Sequence, residues 1–334
     1  MYDFLRLSNE DKRIVFRNTA QKRGFHESIV EKDFWVCLTL DYLFHENKWK
    51  DSFVFKGGTS LSKAYGLIRR FSEDIDIILD WRVLGYSKDE PWEERSNSKQ
   101  DAFNKEANRK AEVFLREDLL PVLRQDLQRI IGQDANLYIS PEDPQTICFS
   151  YPRIFETSSI LPVIRMEIGA LAAWTPAQVR KITPYAAECY PNVFKSPATE
   201  IFTVAPERTF WEKATILHHE ANRPEHLMMP ARYSRHYYDM YCLFNSDVKD
   251  SAMNDLELLK QVVNFKMKFY PRKWAKYEEA VPGTMKLLPP ENRFSDLKKD
   301  YDDMHAMFFG EVISFDEIVN KLEELEAEIN NMNK

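Results

Sequence analysis

The sequence predicts an α+β fold, in which a mixed sheet of about five strands flanked by helices precedes a mainly α-helical lobe. Up to about residue 190, short runs of alternating or continuous apolar residues stand between helical patterns, whereas beyond it apolar residues recur at helical spacing. The length of 334 residues also allows two lobes, since a domain commonly has roughly 100–200 residues. We therefore expect one lobe over residues 1–190 and a second over residues 191–334.

Two helices are predicted within the first fifty residues. Each would begin at a capping box, in which a serine and an acidic residue three positions later satisfy exposed backbone N–H groups. These boxes pair Ser8 with Asp11 and Ser28 with Glu31. Gly24 separates the two helices.

The strands of the first lobe are predicted from short apolar or alternating runs. These runs lie at 52–55, 75–79, 136–139, 146–151 and 161–169. The first strand leads directly into Gly57 and Gly58, after which a helical pattern begins. A polar loop is predicted at 85–100, and a helix from about residue 98 to residue 131.

Helices predominate in the second lobe. Pro206 suits the first turn of a helix, and Ser314 with Glu317 forms another capping box. The predicted helices lie at 206–221, 232–245, 253–270, 295–309 and 314–332.

The overall charge is not that of an obvious nucleic-acid-binding protein. With 46 Lys and Arg against 53 Asp and Glu the net charge is −7, so an RNA partner would have to meet a local basic patch. The best candidate is the stretch 208–236, with five bases and four of the seven histidines. Pairing of these bases with neighbouring glutamates on helix surfaces is an equally good interpretation.

Cysteine usage and hydropathy indicate the cellular compartment of the protein. The four cysteines include no Cys-x-x-Cys pair, which argues against a disulfide framework and a zinc knuckle. We find no pattern typical of a signal peptide or a membrane span. We therefore expect a cytoplasmic protein with no membrane partner.

The segment from Gly57 to Lys63 has features of a phosphate-binding turn. Its glycines let the backbone turn tightly and approach a ligand, and the N–H groups of Thr59 and Ser60 open a helix whose positive end faces outward. This arrangement suits a triphosphate, although the spacing of a P-loop is missing. An ordinary strand-to-helix turn is the alternative interpretation.

An acidic pair on the second strand is the stronger signal. Residues two apart on a strand share a face, so Asp74 and Asp76 would project together while Ile75 and Ile77 point into the core. Two adjacent carboxylates repel each other unless cations neutralise them, and Mg²⁺ commonly does so in phosphoryl-transfer sites. The alternative is the solvent-facing edge of an amphipathic strand.

Glu167 is a candidate for a third metal ligand. It lies on an otherwise apolar predicted strand, where a charge needs a partner or a metal. Arg165 would lie on the same face, so an Arg165–Glu167 ion pair is the alternative explanation.

In this order, the segments resemble a known family. The Gly-Gly-Thr-Ser turn and the run from Arg70 to Asp76 resemble the polymerase-β-type nucleotidyltransferase signature, in the form found in the AbiEii/AbiGii toxin family of abortive-infection and toxin–antitoxin systems. Three further segments are similar to motifs of that family, and the resemblance spans about residues 28–245. These segments are Glu31 to Trp35, Glu212 to Ala214 followed by Arg223, and Arg235 to Tyr241.

The resemblance implies roles for individual residues. Ser60 would contact the terminal phosphates, Asp74 and Asp76 would hold Mg²⁺, and Lys213 would touch the nucleotide while Asp239 supports the site. The glycine turn (Gly57, Gly58, Thr59, Ser60, Lys63) and Arg223 would complete the nucleotide-binding set. Lys213 and Asp239 lie on neighbouring predicted helices, from which they could close over a nucleotide, but an inter-helix salt bridge is the alternative.

We therefore expect an enzyme that uses two Mg²⁺ ions to transfer an NMP from an NTP to an acceptor. The resemblance implies that the acceptor is RNA, specifically the 3′ end of tRNA, and that a cognate antitoxin exists. A protein or small-molecule acceptor, phosphoester hydrolysis at the same metals, and a catalytically silent nucleotide-binding module are the alternatives.

Overall fold

The fold is α+β, as the sequence predicts. The computed structural model describes residues 1–156, 161–172 and 175–332. Within these ranges a mixed seven-stranded sheet is flanked by helices and followed by further helices. None of the helices described is long and apolar enough to cross a membrane.

The chain forms two compact units. The first, which we call the sheet unit, comprises Met1–Tyr65 and Phe71–Val204. The second, the helical unit, comprises Gly66–Arg70 and Ala205–Lys334. The division therefore falls after the last strand, whereas the sequence placed the boundary after residue 190.

The sheet has the strand order β3-β4-β5-β2-β1-β7-β6. Its strands are β1 (Phe53–Lys56), β2 (Ile75–Leu79), β3 (Asn136–Ile139), β4 (Thr146–Ser150), β5 (Val163–Gly169), β6 (Ala177–Ile182) and β7 (Thr199–Val204). Strand β1 is antiparallel to β2 and parallel to β7, and β2 is parallel to β5. The first five strands confirm the prediction, while β6 and β7 are additional.

Helices of the sheet unit cover the sheet and its edges. They are α1 (Tyr2–Leu5), α2 (Asn9–Arg23), α3 (Glu27–Asp41), α4 (Gly57–Lys63), α5 (Asn97–Phe114), α6 (Leu120–Ile131) and α7 (Tyr185–Cys189). A π-helical turn at Leu115–Leu119 joins α5 to α6, so the predicted helix over 98–131 is continuous. Ser8 caps α2 by accepting the Asp11 N–H at 3.0 Å, which confirms the predicted helix start.

The second predicted capping box is wrong. Helix α3 is capped by His26, whose Nδ1 accepts the N–H of Ser28 at 3.2 Å. The Glu31 carboxylate instead accepts the N–H groups of Ile154 and Phe155, at 2.6 and 3.1 Å. A histidine nitrogen two residues earlier thus takes the capping role, and the glutamate stabilises a loop.

The two faces of the sheet differ in polarity. Ile75, Ile77 and Met166 are fully buried in the hydrophobic core. Asp76 and Glu167 alternate with them and are only partly buried on the opposite face. Period-two alternation therefore places the carboxylates of β2 and β5 together.

The helical unit contains the remaining α-helices. They are α8 (Pro206–Ala221), α9 (Ser234–Phe244), α10 (Val248–Met253), α11 (Leu256–Phe269), α12 (Phe294–Asp302) and α13 (Phe315–Asn331). Pro206 is the first residue of α8. Ser314 caps α13 by accepting the Glu317 N–H at 3.2 Å. Both predicted helix starts are confirmed.

Candidate active site

The glycine turn and the acidic strand lie against each other in the sheet unit. Gly57 begins α4 with a φ of +80°, a left-handed conformation that favours glycine. A Cβ atom at this position would overlap the carboxylate of Asp76. Only a residue without a side chain lets Asp76 approach the turn this closely.

Neighbouring strands place further charged residues beside Asp76. Its cross-strand partners are Lys56 on β1 and Glu167 on β5, and Glu167 is in turn opposite Thr146 on β4. Adjacent strands lie about 4.7–4.9 Å apart, so directly opposite side chains are neighbours on one face of the sheet. A row with one cation and two carboxylates therefore crosses this face.

Hydroxyl groups tie the turn to the acidic segment. Thr59 and Ser60 are fully buried. Thr59 Oγ1 donates to the backbone carbonyl of Asp74 at 2.5 Å, and Ser60 Oγ donates to the Gly57 carbonyl at 2.8 Å. Because a hydroxyl donates a single proton, a hydrogen bond from Ser60 Oγ to phosphate would require it to release Gly57.

Lys63 occupies a buried ion pair at the end of α4. Its ammonium lies 2.7 Å from Asp33 Oδ1 and 3.7 Å from the centroid of the Tyr185 ring. Burial opposes the charge, but Asp33 raises the pKa of Lys63 above its usual value, so the lysine stays protonated. In this structure Lys63 anchors α4 to α3, whereas the sequence assigned it to nucleotide binding.

Helix α3 supplies anchors that the sequence analysis missed. Lys32 lies 2.6 Å from Glu73, directly before Asp74, while Asp33 holds Lys63. Adjacent residues of one helix therefore fix both the acidic segment and the turn helix. The signal was available, because three consecutive charged residues inside an apolar helix each need a partner.

The predicted three-carboxylate metal site remains a prediction. Across residues 1–156, 161–172 and 175–332, no three His, Cys, Asp or Glu side chains are grouped so that they could hold a metal ion. Glu167 Oε1 lies 3.9 Å from Arg165 Nε, so the ion pair that the sequence left open is present.

Lys213 and Asp239 meet in the interior of the helical unit. Lys213 Nζ lies 2.9 Å from Asp239 Oδ2 and 3.0 Å from His236 Nδ1. Arg70 binds the same carboxylate in a bidentate manner, at 2.7 and 2.8 Å. The salt bridge left open by the sequence is therefore present, and Arg70 is a partner that the sequence analysis missed.

The electrostatics of this cluster follow from its burial. Burial alone would raise the pKa of Asp239, but Arg70 and Lys213 hold it well below its usual range, so the carboxylate is ionised. Burial lowers the pKa of Lys213. Burial and the nearby Lys213 also hold the pKa of His236 well below its usual value, so His236 is neutral and its Nδ1 can accept a hydrogen bond from Lys213.

The predicted basic patch at 208–236 is largely internal or paired. Arg208 is 2% exposed and lies 3.0 Å from Glu212. Arg223 forms two hydrogen bonds with Glu220, at 2.7 and 2.8 Å. For these residues, pairing with neighbouring glutamates is therefore the correct interpretation.

Comparison with known proteins agrees with these features. A model of the AbiEii family, described as the nucleotidyl transferase AbiEii toxin of type IV toxin–antitoxin systems, matches residues 41–321. The structure of MenT4, a nucleotidyltransferase toxin from Mycobacterium tuberculosis, is similar in fold, with a TM-score of 0.52 and 16% identity over 96% of this chain and 90% of that chain. JHP933 from Helicobacter pylori is 14% identical over 93% of this chain and 100% of that chain, with a TM-score of 0.37 that is too low to indicate a shared fold.

No curated protein matches the sequence. The family match is nevertheless decisive, because it covers well over half of the chain and contains the glycine turn, the acidic strand and the Lys213–Asp239 pair. The chain therefore belongs to the AbiEii family, the nucleotidyltransferase toxins of type IV toxin–antitoxin systems.

Proposed function

We propose that this nucleotidyltransferase requires Mg²⁺ and transfers an NMP from an NTP to RNA, with the 3′ end of tRNA as the acceptor. The observation that carries the proposal is the Asp76 carboxylate, which lies against Gly57 where the glycine turn begins. A carboxylate, which is a common Mg²⁺ ligand, is thereby next to the glycine turn, whose backbone N–H groups suit a phosphate. We also propose that the protein acts in the cytoplasm and has a cognate antitoxin.

The residues on this face suit magnesium. Carboxylates are hard oxygen ligands, and Mg²⁺ needs only one or two of them because water and substrate phosphates complete its coordination. Asp74 and Asp76, with Glu167 as a third candidate, would hold two Mg²⁺ ions that neutralise phosphate charge and favour ionisation of the attacking hydroxyl.

The groups of the chain bind and orient the reactants. In this proposal the N–H groups of Thr59 and Ser60 donate to the terminal phosphates, which requires the turn to open because both residues are buried. Contacts of Lys213 and Arg223 with the nucleotide stay a prediction, since within the helical unit these residues pair with Asp239 and Glu220. The terminal hydroxyl of the acceptor attacks the α-phosphorus. A new P–O bond forms, the bond from the α-phosphorus to the α,β-bridging oxygen breaks, pyrophosphate leaves with the electron pair, and the proton of the hydroxyl is released to water.

Incubation of the full chain with each α-labelled NTP, Mg²⁺ and total RNA tests this proposal. We expect label in RNA of tRNA size, none after EDTA treatment, and none when periodate has first oxidised the 3′-terminal diol. Label on a protein or small molecule, release of free NMP, or no product would each contradict transfer to RNA. Labelling that survives periodate would contradict the 3′ end as acceptor.

A further inference from the structure

The most basic part of the sequence lies outside the predicted patch. Residues 258–277 contain six Lys and Arg and no Asp or Glu, in a chain whose net charge is −7. They form most of α11 and the loop that follows it. Such a local excess of cations attracts polyanions although the whole protein is acidic.

Cations from three segments converge at this place. Arg272 and Lys273 are exposed in the loop, and Lys266 is partly exposed on α11. Arg223 lies just beyond the end of α8, where Glu220 already pairs with it. Burial, followed by the positive charges of Arg272, Arg223 and Lys266, lowers the pKa of His219 to about 3. His219, whose ring contacts Trp274, therefore stays neutral.

Aromatic rings are interleaved with the cations. Trp274 is half-buried, and its ring lies 4.4 Å from that of His219, 4.9 Å from the Arg223 guanidinium and 5.8 Å from that of Arg272. Tyr270 is 46% exposed. Cations beside accessible rings suit single-stranded nucleic acid, in which phosphates need neutralising and bases stack on aromatic faces.

Three carboxylates near this stretch, Glu220, Glu257 and Glu279, are paired with neighbouring bases. Lys260 lies 3.8 Å from Glu257, and Lys276 lies 3.3 Å from Glu279. Within the described part of the chain, neither Arg272 nor Lys273 forms an ion pair with a carboxylate. The centre of the stretch therefore keeps two exposed positive charges.

We propose that the end of α11 and the loop after it, which we call the basic face (residues 266–276), bind the phosphate backbone of an RNA. The interleaved rings favour RNA over an acidic protein, since bases can stack on them. The identity of this RNA as the acceptor rests on the proposed function, but binding itself needs no turnover.

The test measures binding of fluorescein-labelled, unfractionated tRNA to the full chain, without NTP, at several KCl concentrations. In the R272Q/K273Q variant we expect about tenfold weaker binding near physiological salt, and a salt dependence reduced by about one for each cation removed. The R272K/K273R variant keeps both charges and should bind like the wild type.

A matched control removes two exposed charges elsewhere in the helical unit. Lys298 and Lys321 are each 2.6 Å from a carboxylate, Asp316 and Glu324 respectively. We expect K298Q/K321Q to change tRNA affinity less than twofold. The proposal that the basic face binds RNA would be contradicted by any of three results: unchanged binding by R272Q/K273Q, an equal loss of affinity in the control, or no measurable tRNA binding by the wild type.

The labelling assay separates this inference from the proposed function. If the wild-type protein binds tRNA through the basic face but transfers no label to it, the proposed function is contradicted and the proposed RNA binding is not. If R272Q/K273Q transfers label and binds tRNA as well as the wild type does, RNA binding by the basic face is contradicted and the proposed function is not.

Discussion

Substitution of Gly57 by alanine tests the contact between the glycine turn and the acidic strand. The new methyl group would overlap the Asp76 carboxylate, so that the carboxylate or the turn has to move. A misplacement of about 1 Å at a reacting centre costs on the order of 10²-fold in rate. We therefore expect Gly57→Ala to reduce NMP transfer by about a hundredfold.

The same change has a conformational cost in addition to this overlap. Gly57 has a φ of +80°, and a side chain in the left-handed region costs roughly 1–2 kcal/mol. Gly24, which ends α2, has a φ of +69° and nothing within 4 Å of a built Cβ. Gly24→Ala should therefore show this conformational cost alone and keep its activity, whereas Gly57→Ala also has to relieve the overlap with Asp76.

The assay compares both variants with the wild type. Urea unfolding followed by circular dichroism gives the free energy, and incorporation of labelled NMP into RNA gives the rate. If Gly57→Ala were as active as Gly24→Ala, the close approach of Asp76 to the glycine turn would not be needed for NMP transfer.

Two further predictions concern buried charges. Asp239→Asn leaves two buried cations without an anion, so we expect it to lower the free energy of unfolding by about 3–5 kcal/mol. Glu328→Gln, which alters an exposed ion pair, should lower it by less than about 1 kcal/mol. Equal losses in urea unfolding would contradict this account. Burial raises the pKa of Glu31 from 4.5 to about 7. The folded state therefore holds this proton more tightly, and the resulting stability is complete at acidic pH and is lost as pH rises to about 7. Glu31→Gln should remove that slope between pH 4.5 and 7, and an unchanged slope in thermal melts would refute the assignment.

Among the predicted strands, β2 and β5 show most clearly why a strand can be recognised from sequence. In β2 and β5, buried apolar residues alternate with partly buried charges, so the period is visible. Strand β6 is at the edge of the sheet, and its Val179 is 59% exposed opposite Phe202 of β7, which is 42% exposed. Because apolar residues occupy the exposed face here, the alternation does not show which side is the core.

The candidate site was predicted in part for a similar reason. The glycine turn and the acidic pair are local patterns, so sequence alone identifies them. The partners of buried charges are not local: Arg70 and Asp239 are 169 residues apart, and only the folded chain shows that they meet. The sequence segments that resemble the family end near residue 245, whereas the family match continues to residue 321.

The basic face was missed because the whole-chain charge hides it. An excess of acidic residues elsewhere offsets the six bases of residues 258–277. A search for windows without carboxylates finds the stretch, but only the structure shows which of its cations are exposed and how Trp274 lies among them.

The central claim, that Asp76 is a catalytic carboxylate at the glycine turn, is tested most directly by Asp76→Asn in the labelling assay. Asp80→Asn is the matched control, because Asp80 follows the same strand and caps the next turn through the Arg82 N–H, a role that asparagine can also perform. Loss of a ligand to a metal worth several kcal/mol should reduce transfer by at least about a hundredfold in Asp76→Asn, with Asp80→Asn close to wild type. Retention of more than a tenth of the activity by folded Asp76→Asn would contradict the claim.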